Sequence, residues 1–128
     1  MLKVLIADDS KMMRIMHARS LRQAGYEAEI LEAGSGEEAL QLFEPGTLDL
    51  VIVDWNMPGM DGVEFARAAR ERERASGKRR TPFLMITSQS TDEQMHRAKD
   101  AGVDTLLTKP VTPEALAATL DMLLAARA

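Results

Sequence analysis

The 128-residue sequence lacks cysteine and contains few aromatic residues. Without cysteine there can be no disulfide bond, thiolate zinc site or cysteine nucleophile, and a reducing compartment fits this composition. Only one tryptophan, one tyrosine and three phenylalanines are present, so the core must be mainly aliphatic. No apolar run approaches the roughly 18 residues that a membrane-spanning helix needs, and no signal-peptide pattern precedes the first apolar segment. We therefore expect a cytoplasmic protein that does not bind membranes.

The length and the hydrophobic fraction of 45% are typical of one compact domain. The sequence shows no linker, repeat or low-complexity segment, and its last predicted helix ends with the chain. We therefore expect one domain over residues 1–128, monomeric and with no attached output domain.

The basic residues are concentrated in one segment. The net charge is −4, but residues 67–80 hold seven basic and two acidic residues, so the rest of the chain is strongly acidic. An acidic body disfavours binding to phosphate backbones. Within the segment, charges alternate from Arg70 to Arg74 and no aromatic residue is interleaved, which is typical of a solvated helix end and loop. We expect no nucleic-acid partner.

Short apolar segments alternate with segments of helical period along the whole chain. The apolar segments predict five strands, at residues 4–7, 28–33, 50–53, 83–86 and 105–108. Helices are predicted over residues 11–24, 37–43, 61–76 and 92–101 and from residue 113 onward. Each helix begins at or shortly after a residue suited to cap it, namely Ser10, Ser35, Asp61, Thr91 and Thr112.

This alternation predicts an α/β fold in which a five-stranded parallel sheet carries helices on both faces. The continuously apolar segments at residues 4–7, 50–53 and 83–86 suit the buried middle of such a sheet. Residues 28–33 alternate apolar and charged side chains, which indicates a half-exposed edge strand.

Polar residues follow four of the predicted strands. Asp8 and Asp9 follow the first strand, Asp54 the third, Thr87 the fourth and Lys109 the fifth. In open α/β sheets, ligands bind outside the carboxyl ends of the strands. We therefore expect these side chains to converge at one edge of the sheet.

Three carboxylates at one edge would repel one another. Each pair of like charges costs up to roughly 4 kcal/mol at an effective dielectric constant near 20, so Asp8, Asp9 and Asp54 require a cation or a raised pKa. Because the ligands are hard oxygens and no histidine or cysteine is near in sequence, the expected ion is Mg²⁺.

The same residues resemble a known family. Asp8-Asp9-Ser10, the segment Asp-Trp-Asn-Met-Pro-Gly-Met-Asp-Gly at residues 54–62, Thr87, and Lys109-Pro110 resemble the receiver domain of bacterial response regulators. The third-strand segment is most similar to single-domain chemotaxis regulators of the CheY type, and the resemblance covers essentially the whole chain. It implies the flavodoxin-like strand order 2-1-3-4-5, which is already established for CheY itself.

The resemblance also implies a role for each site residue. Asp54 would accept a phosphoryl group from a sensor histidine kinase. Mg²⁺, for which Mn²⁺ can substitute, would be held by Asp9, Asp54 and the backbone carbonyl of Asn56, with Asp8 acting through water. The domain would be a phosphorylation-activated switch, with phosphoryl transfer and self-dephosphorylation but no enzymatic turnover of a separate substrate.

Two further side chains would contact the transferred group. Lys109 would place its ammonium beside one phosphoryl oxygen, and Thr87 would donate its hydroxyl to another. One position departs from the family pattern, because Leu106 stands where an aromatic residue is usual. The downstream target stays open between a flagellar motor switch and a histidine phosphotransfer protein.

Three alternative functions are weaker. A phosphatase with an aspartyl-phosphate intermediate needs an Asp-x-Asp arrangement, whereas Asp8 and Asp9 are adjacent. Residues 34–39 match a dinucleotide-binding pattern, but Glu37 and Glu38 would stand where the pyrophosphate must bind. A degenerate receiver that serves only as an interaction module would not need the complete set of site residues.

Several side chains outside this set also have a predicted environment. His17 and His96 are expected on polar helix surfaces, and Trp55 is expected half-exposed beside the site. Asp61 is expected to cap a helix, and the Lys109–Pro110 bond is a candidate for the cis form. Four methionines are expected to fill the core, namely Met12, Met13, Met16 and Met85.

Overall fold

The computed structural model describes residues 1–127, with side chains to residue 125. Its strands are β1 (Leu2–Ala7), β2 (Ala28–Ala33), β3 (Leu50–Asp54), β4 (Phe83–Thr87) and β5 (Thr105–Thr108). Its helices are α1 (Lys11–Gln23), α2 (Gly36–Leu42), α3 (Gly62–Ser76), α4 (Asp92–Asp100) and α5 (Pro113–Arg127). None of the helices in this range is long and apolar enough to cross a membrane.

The five strands form one parallel sheet in the order β2-β1-β3-β4-β5. The predicted fold class and strand order are therefore confirmed. The apolar strands β1, β3 and β4 occupy the middle, and β2, with its alternating side chains, lies at an edge. This arrangement follows from burial, because only the central strands are covered on both faces.

Each face of the sheet has its own core. Leu5, Val51 and Met85 point to the face covered by α2, α3 and α4. Side chains one position away, such as Ile6 and Ile52, point to the opposite face, which α1 and α5 cover. This alternation is the period-two geometry of a strand.

The predicted helix caps are present. In each case the capping side chain accepts a hydrogen bond from the backbone N–H three residues later. The residues concerned are Ser10, Ser35, Asp61, Thr91 and Thr112. Because the caps set where each helix begins, they also set how far each loop at the carboxyl edge extends.

The environment of α1 differs from the prediction. His17 is only 4% exposed, so its assignment to a polar surface was wrong, whereas His96 is exposed as expected. The core assignment of Met12 and Met16 was also wrong, because they are 71% and 48% exposed. His17 and Leu21 lie one turn apart and together form the face of α1 that packs against the sheet.

The predictions for the other two methionines and for the tryptophan had mixed outcomes. Met85 is fully buried, as predicted, and Met13 is half-buried. Trp55 is buried rather than half-exposed, because it belongs to the core on the face covered by α2, α3 and α4. Arg97 of α4 lies over its ring, 5.5 Å from the ring centroid.

The basic segment is not wholly solvated. Arg70 is 4% exposed and forms ion pairs with Glu73 at 2.7 Å and Asp104 at 3.0 Å. The alternating charges of α3 therefore include one buried pair, which the sequence pattern did not distinguish from its exposed neighbours such as Arg67.

Candidate functional site

The carboxyl ends of β1 and β3 bring three carboxylates together. Ala7 pairs with Val53 across the two strands, so Asp8 and Asp54 follow at neighbouring positions. Oxygen atoms of Asp8, Asp9 and Asp54 all lie within 4.8 Å of one another. The structure therefore brings together the three acids that the strand pattern placed at this edge.

Asp8 is buried and its two oxygens differ. Oδ1 accepts a hydrogen bond of 2.9 Å from the backbone N–H of Ser10, whereas Oδ2 is buried without a hydrogen-bond partner. Burial is the largest single influence and opposes ionisation, but His17, the Ser10 N–H and Lys109 together outweigh it. Their sum holds the pKa of Asp8 below its ordinary value.

Asp54 is 5% exposed and lies beside a cation. Lys109 Nζ is 3.3 Å from Asp54 Oδ1, an ion pair without the geometry of a hydrogen bond. Burial and the negative charge of Asp8 raise the pKa of Asp54, and Lys109 offsets only part of this effect. Without a further positive charge nearby, the ionised form of Asp54 is therefore unfavourable in the folded protein.

The remaining residues of the predicted site come from the neighbouring strand ends. Thr87 ends β4 with its side chain buried, and its hydroxyl accepts a hydrogen bond of 3.3 Å from the Gln89 N–H. The Lys109 N–H donates to the Thr87 carbonyl at 2.8 Å, which ties the two strand ends together. Asn56, two residues after Asp54, is itself exposed, and the bond between Lys109 and Pro110 is cis.

A close backbone contact sets where α3 begins relative to Asp54. A Cβ at Gly62 would lie 2.5 Å from the Asp54 carbonyl oxygen, so only glycine fits there. The Gly62 N–H donates to the Trp55 carbonyl at 2.9 Å, while Asp61 caps α3 in a capping box with Glu64. The loop after Asp54 is therefore held at both of its ends.

The donor set fits a hard divalent cation. The cluster offers only carboxylate oxygens, and both Asp8 Oδ2 and Asp54 Oδ1 are buried oxygens without a hydrogen bond. A buried anionic oxygen without a hydrogen bond is costly unless a cation or a donor compensates it, and Lys109 compensates Asp54 only in part. Mg²⁺ prefers such oxygen ligands, so these residues are suited to hold it.

Sequence reasoning missed one residue of this site. His17 lies on α1 with Nε2 3.8 Å from Asp8 Oδ2. The signal was its spacing of four residues from Leu21, which places both on one helix face. That signal was ambiguous, because Met12, Met13, Ile15 and Met16 spread apolar side chains around most of the helix.

Residues 4–121 match the family described as the response regulator receiver domain. This match spans most of both cores and the carboxyl ends of all five strands. The chain belongs to the response regulator receiver domain family. The resemblance to this family is therefore confirmed at the level of family membership and fold.

Named relatives of this receiver domain agree with that assignment. The chemotaxis protein CheY of Pseudomonas aeruginosa is 37% identical over 115 residues, covering 90% of both chains. The chemotaxis protein CheY-3 of Vibrio cholerae is 38% identical over 120 residues, covering 94% of this chain and 89% of that protein. The transcriptional regulatory protein PdtaR of Mycobacterium tuberculosis is 37% identical, but the match covers only 55% of its length.

Solved structures give the same result in three dimensions. Chemotaxis protein CheY4 of Vibrio cholerae has a TM-score of 0.83 and 40% identity, and the match covers 97% of this chain and 99% of that chain. The receiver domain of the Francisella response regulator 1452 has a TM-score of 0.83 at 26% identity, with 98% of both chains covered.

Proposed function

We propose that this receiver domain is a phosphorylation-activated switch in which Asp54 accepts a phosphoryl group from the phosphohistidine of a sensor histidine kinase. The observation that carries the proposal is the position of Asp54. It is buried, 3.3 Å from the ammonium of Lys109, and grouped with Asp8 and Asp9 at the carboxyl edge of the sheet.

The transfer step requires an ionised nucleophile held in line. A carboxylate oxygen of Asp54 forms a bond to phosphorus while the bond from phosphorus to the kinase histidine breaks, and its electron pair stays on the imidazole. Burial raises the pKa of Asp54, and the ammonium of Lys109 opposes this by favouring the carboxylate. Lys109 therefore helps to keep the nucleophile charged before the phosphoryl group arrives.

Several groups around Asp54 would each stabilise part of the negative charge on the transferred phosphoryl group. Asp9, Asp54 and the Asn56 carbonyl would hold Mg²⁺, with Asp8 acting through water. When bound, the cation neutralises charge on the transferring oxygens. Thr87 can donate its hydroxyl to a second oxygen, and Lys109 can pair with a third.

The switch resets by reaction with water. A water oxygen attacks phosphorus, the bond from phosphorus to the Asp54 oxygen breaks, and the carboxylate is regenerated. The domain would therefore perform an autocatalytic transfer and self-dephosphorylation, and would not be an enzyme with a separate turnover substrate.

The relatives and the position of Leu106 bear on the output. Because several relatives are chemotaxis proteins, we propose a chemotaxis-type output in the cytoplasm, with a flagellar motor switch as the target of a monomer that binds neither nucleic acid nor membranes. A second candidate is transfer of the phosphoryl group onward to a histidine phosphotransfer protein. It is favoured by Leu106, a half-buried aliphatic residue that packs on the core. The resemblance implies an aromatic residue there that couples activation to the output face, and a phosphotransfer role does not require that coupling.

Phosphorylation with a small phosphodonor such as acetyl phosphate tests the proposal. We expect incorporation at one site, dependent on Mg²⁺ or Mn²⁺ and lost in Asp54→Asn. Asp61→Asn is the matched control, because it removes a carboxylate from the same loop and keeps a side chain able to cap α3. Labelling of Asp54→Asn, or labelling that survives excess EDTA, would contradict the assignment.

A further inference from the structure

Helix α1 places a buried histidine against the carboxylate cluster. His17 is 4% exposed, and its Nε2 lies 3.8 Å from Asp8 Oδ2. That oxygen is the one without a hydrogen bond, since Ser10 N–H already satisfies Oδ1. Among the ion pairs of the residues that the structure describes, the one that reaches this oxygen comes from the imidazole of His17.

We infer that His17 is a positioning residue for the cation site, which directs its Nε2–H at Asp8 Oδ2 and thereby holds the Asp8 carboxylate in one orientation. The inference rests on the proposed function, because it concerns the same cation site. The separation is longer than an N–H···O hydrogen bond of about 2.9 Å. Such bonds are often long in unliganded sites and shorten when the site fills.

Orientation matters for Asp8 because it is the acid expected to act through water. A carboxylate that reaches a cation through water must present one oxygen at a defined place, and its other contacts decide where that place is. Ser10 N–H fixes Oδ1 from the loop, and His17 would fix Oδ2 from the helix. Such outer partners of a cation site typically change its affinity by roughly 10- to 100-fold when removed.

His17 also borders an open cavity of about 400 Å³. The other lining residues are mainly apolar, namely Met13, Met16, Pro110 and Val111, beside Ser20 and Lys109. A leucine would suit that apolar wall as well as histidine does. Packing alone therefore does not explain an imidazole here, whereas a donor aimed at Asp8 does.

Two substitutions distinguish a donor from a space filler. His17→Leu keeps the bulk and removes the donor. His17→Gln keeps a neutral N–H donor close to the position of Nε2 and removes the imidazole ring. Ser20→Ala is the matched control, because Ser20 lines the same cavity one turn further along α1.

The readout is the dissociation constant for Mg²⁺ alone, followed through the fluorescence of Trp55 without any phosphodonor. We expect His17→Leu to raise the constant about tenfold, and His17→Gln and Ser20→Ala to stay within about twofold of the wild type. A second measurement is the phosphorylation rate against Mg²⁺ concentration. The half-saturating concentration should rise in His17→Leu, while the rate at saturating Mg²⁺ stays within about twofold.

Thermal unfolding in EDTA excludes a simple folding defect. His17→Leu leaves Asp8 Oδ2 without that partner and should lower the melting temperature, but a single transition well above the temperature of the Mg²⁺ titration shows that the variant is folded there. His17→Met, which also lacks a donor, should show the same loss of Mg²⁺ affinity. Wild-type affinity in both apolar variants, or equal losses in His17→Gln and His17→Leu, would overturn the inference and leave the proposed function standing. A wild type that binds no Mg²⁺ would overturn both.

Discussion

Charged side chains are buried at both ends of the sheet, but they have a full set of partners at only one of them. At the amino end of β4 and β5, Arg70 is enclosed by partners. It pairs with Glu73 and Asp104, donates to the Gly102 carbonyl at 2.9 Å, and lies 3.8 Å above the centroid of Phe83. At the carboxyl end, Asp8 and Asp54 each keep a buried oxygen without a hydrogen bond.

The difference separates a structural ion cluster from a reactive one. In the first cluster Glu73 also accepts the Thr81 N–H at 2.8 Å and Asp104 accepts the Phe83 N–H at 2.7 Å, so each buried group is compensated. In the second, the deficit of positive charge favours whatever cation or donor arrives. A buried charge that is satisfied holds the fold, and one that is unsatisfied is available for binding.

The largest expected effect comes from breaking the satisfied cluster. Arg70→Met leaves the buried Glu73 without its cation, whereas Asp104 keeps its ion pair with Arg80. The variant should lower the free energy of unfolding by about 3–5 kcal/mol. Urea denaturation measures this change. Arg67→Met, on an exposed position of the same helix, should change it by less than about 0.5 kcal/mol. Similar values for the two variants would show that the amino-end cluster does not hold the fold.

The second-largest expected effect comes from removing Lys109, the basic side chain beside Asp54 at the carboxyl end of the sheet. Lys109→Ala should slow phosphorylation about 100-fold, since it removes one charge partner of the phosphoryl oxygens. Its Mg²⁺ affinity should be equal or higher, because a positive neighbour of the acids is gone. Rapid-mixing kinetics and Trp55 fluorescence measure the two quantities. A large loss of Mg²⁺ affinity would contradict the role assigned to Lys109.

The parallel sheet and the meeting of the three acids could both be predicted from the sequence. The parallel sheet followed from strand-length apolar segments between capped helices, such as the helix that begins after Asp61. The meeting of Asp8, Asp9 and Asp54 followed from parallel strands, whose carboxyl ends share one edge. Both inferences use local patterns together with one general rule of topology.

The features that could not be predicted depend on contacts between distant segments. Arg70 is buried because Asp104 lies beside it, 34 positions later in the chain, and no local pattern records such a partner. Trp55 is buried because residues from several distant elements form the core around it, and α4 adds Arg97 over its ring. His17 was misplaced because apolar residues on several sides of α1 left two faces equally suited to the core.

A smaller effect concerns the stability cost of the unsatisfied acids. Asp54→Asn removes a buried charge and should raise the free energy of unfolding, without Mg²⁺, by about 1–2 kcal/mol at neutral pH. Because folding raises the pKa of Asp54 above 3.8, the folded state binds a proton more readily. The wild type therefore loses stability as pH rises through that region, and the gain in Asp54→Asn should vanish below about pH 4.

Urea denaturation of the wild type and Asp54→Asn between pH 3 and pH 7 tests this sign. Saturating Mg²⁺ should reduce the difference at neutral pH, since the cation compensates the wild-type charge and has one ligand fewer in the variant. A gain that is the same at all pH values would mean that Asp54 carries no electrostatic cost.

The smallest expected effect concerns the local stability of the helices α3 and α4. Helix α3 is anchored by the Arg70 cluster, whereas α4 buries only Ala98 among its residues. The contact of Arg97 with Trp55, which directly follows Asp54, is therefore a larger share of what holds α4. An exposed cation–π contact contributes about 0.5–1 kcal/mol, so Arg97→Ala should speed amide exchange in α4 about two- to fivefold.

Two controls accompany this measurement. Amide exchange in α3 should not change in Arg97→Ala. Lys99 is an exposed basic residue of α4, and Lys99→Ala should leave amide exchange in both helices unchanged. Equal exchange rates in α4 of the wild type and Arg97→Ala would show that Ala98 and the caps alone hold this helix beside the site.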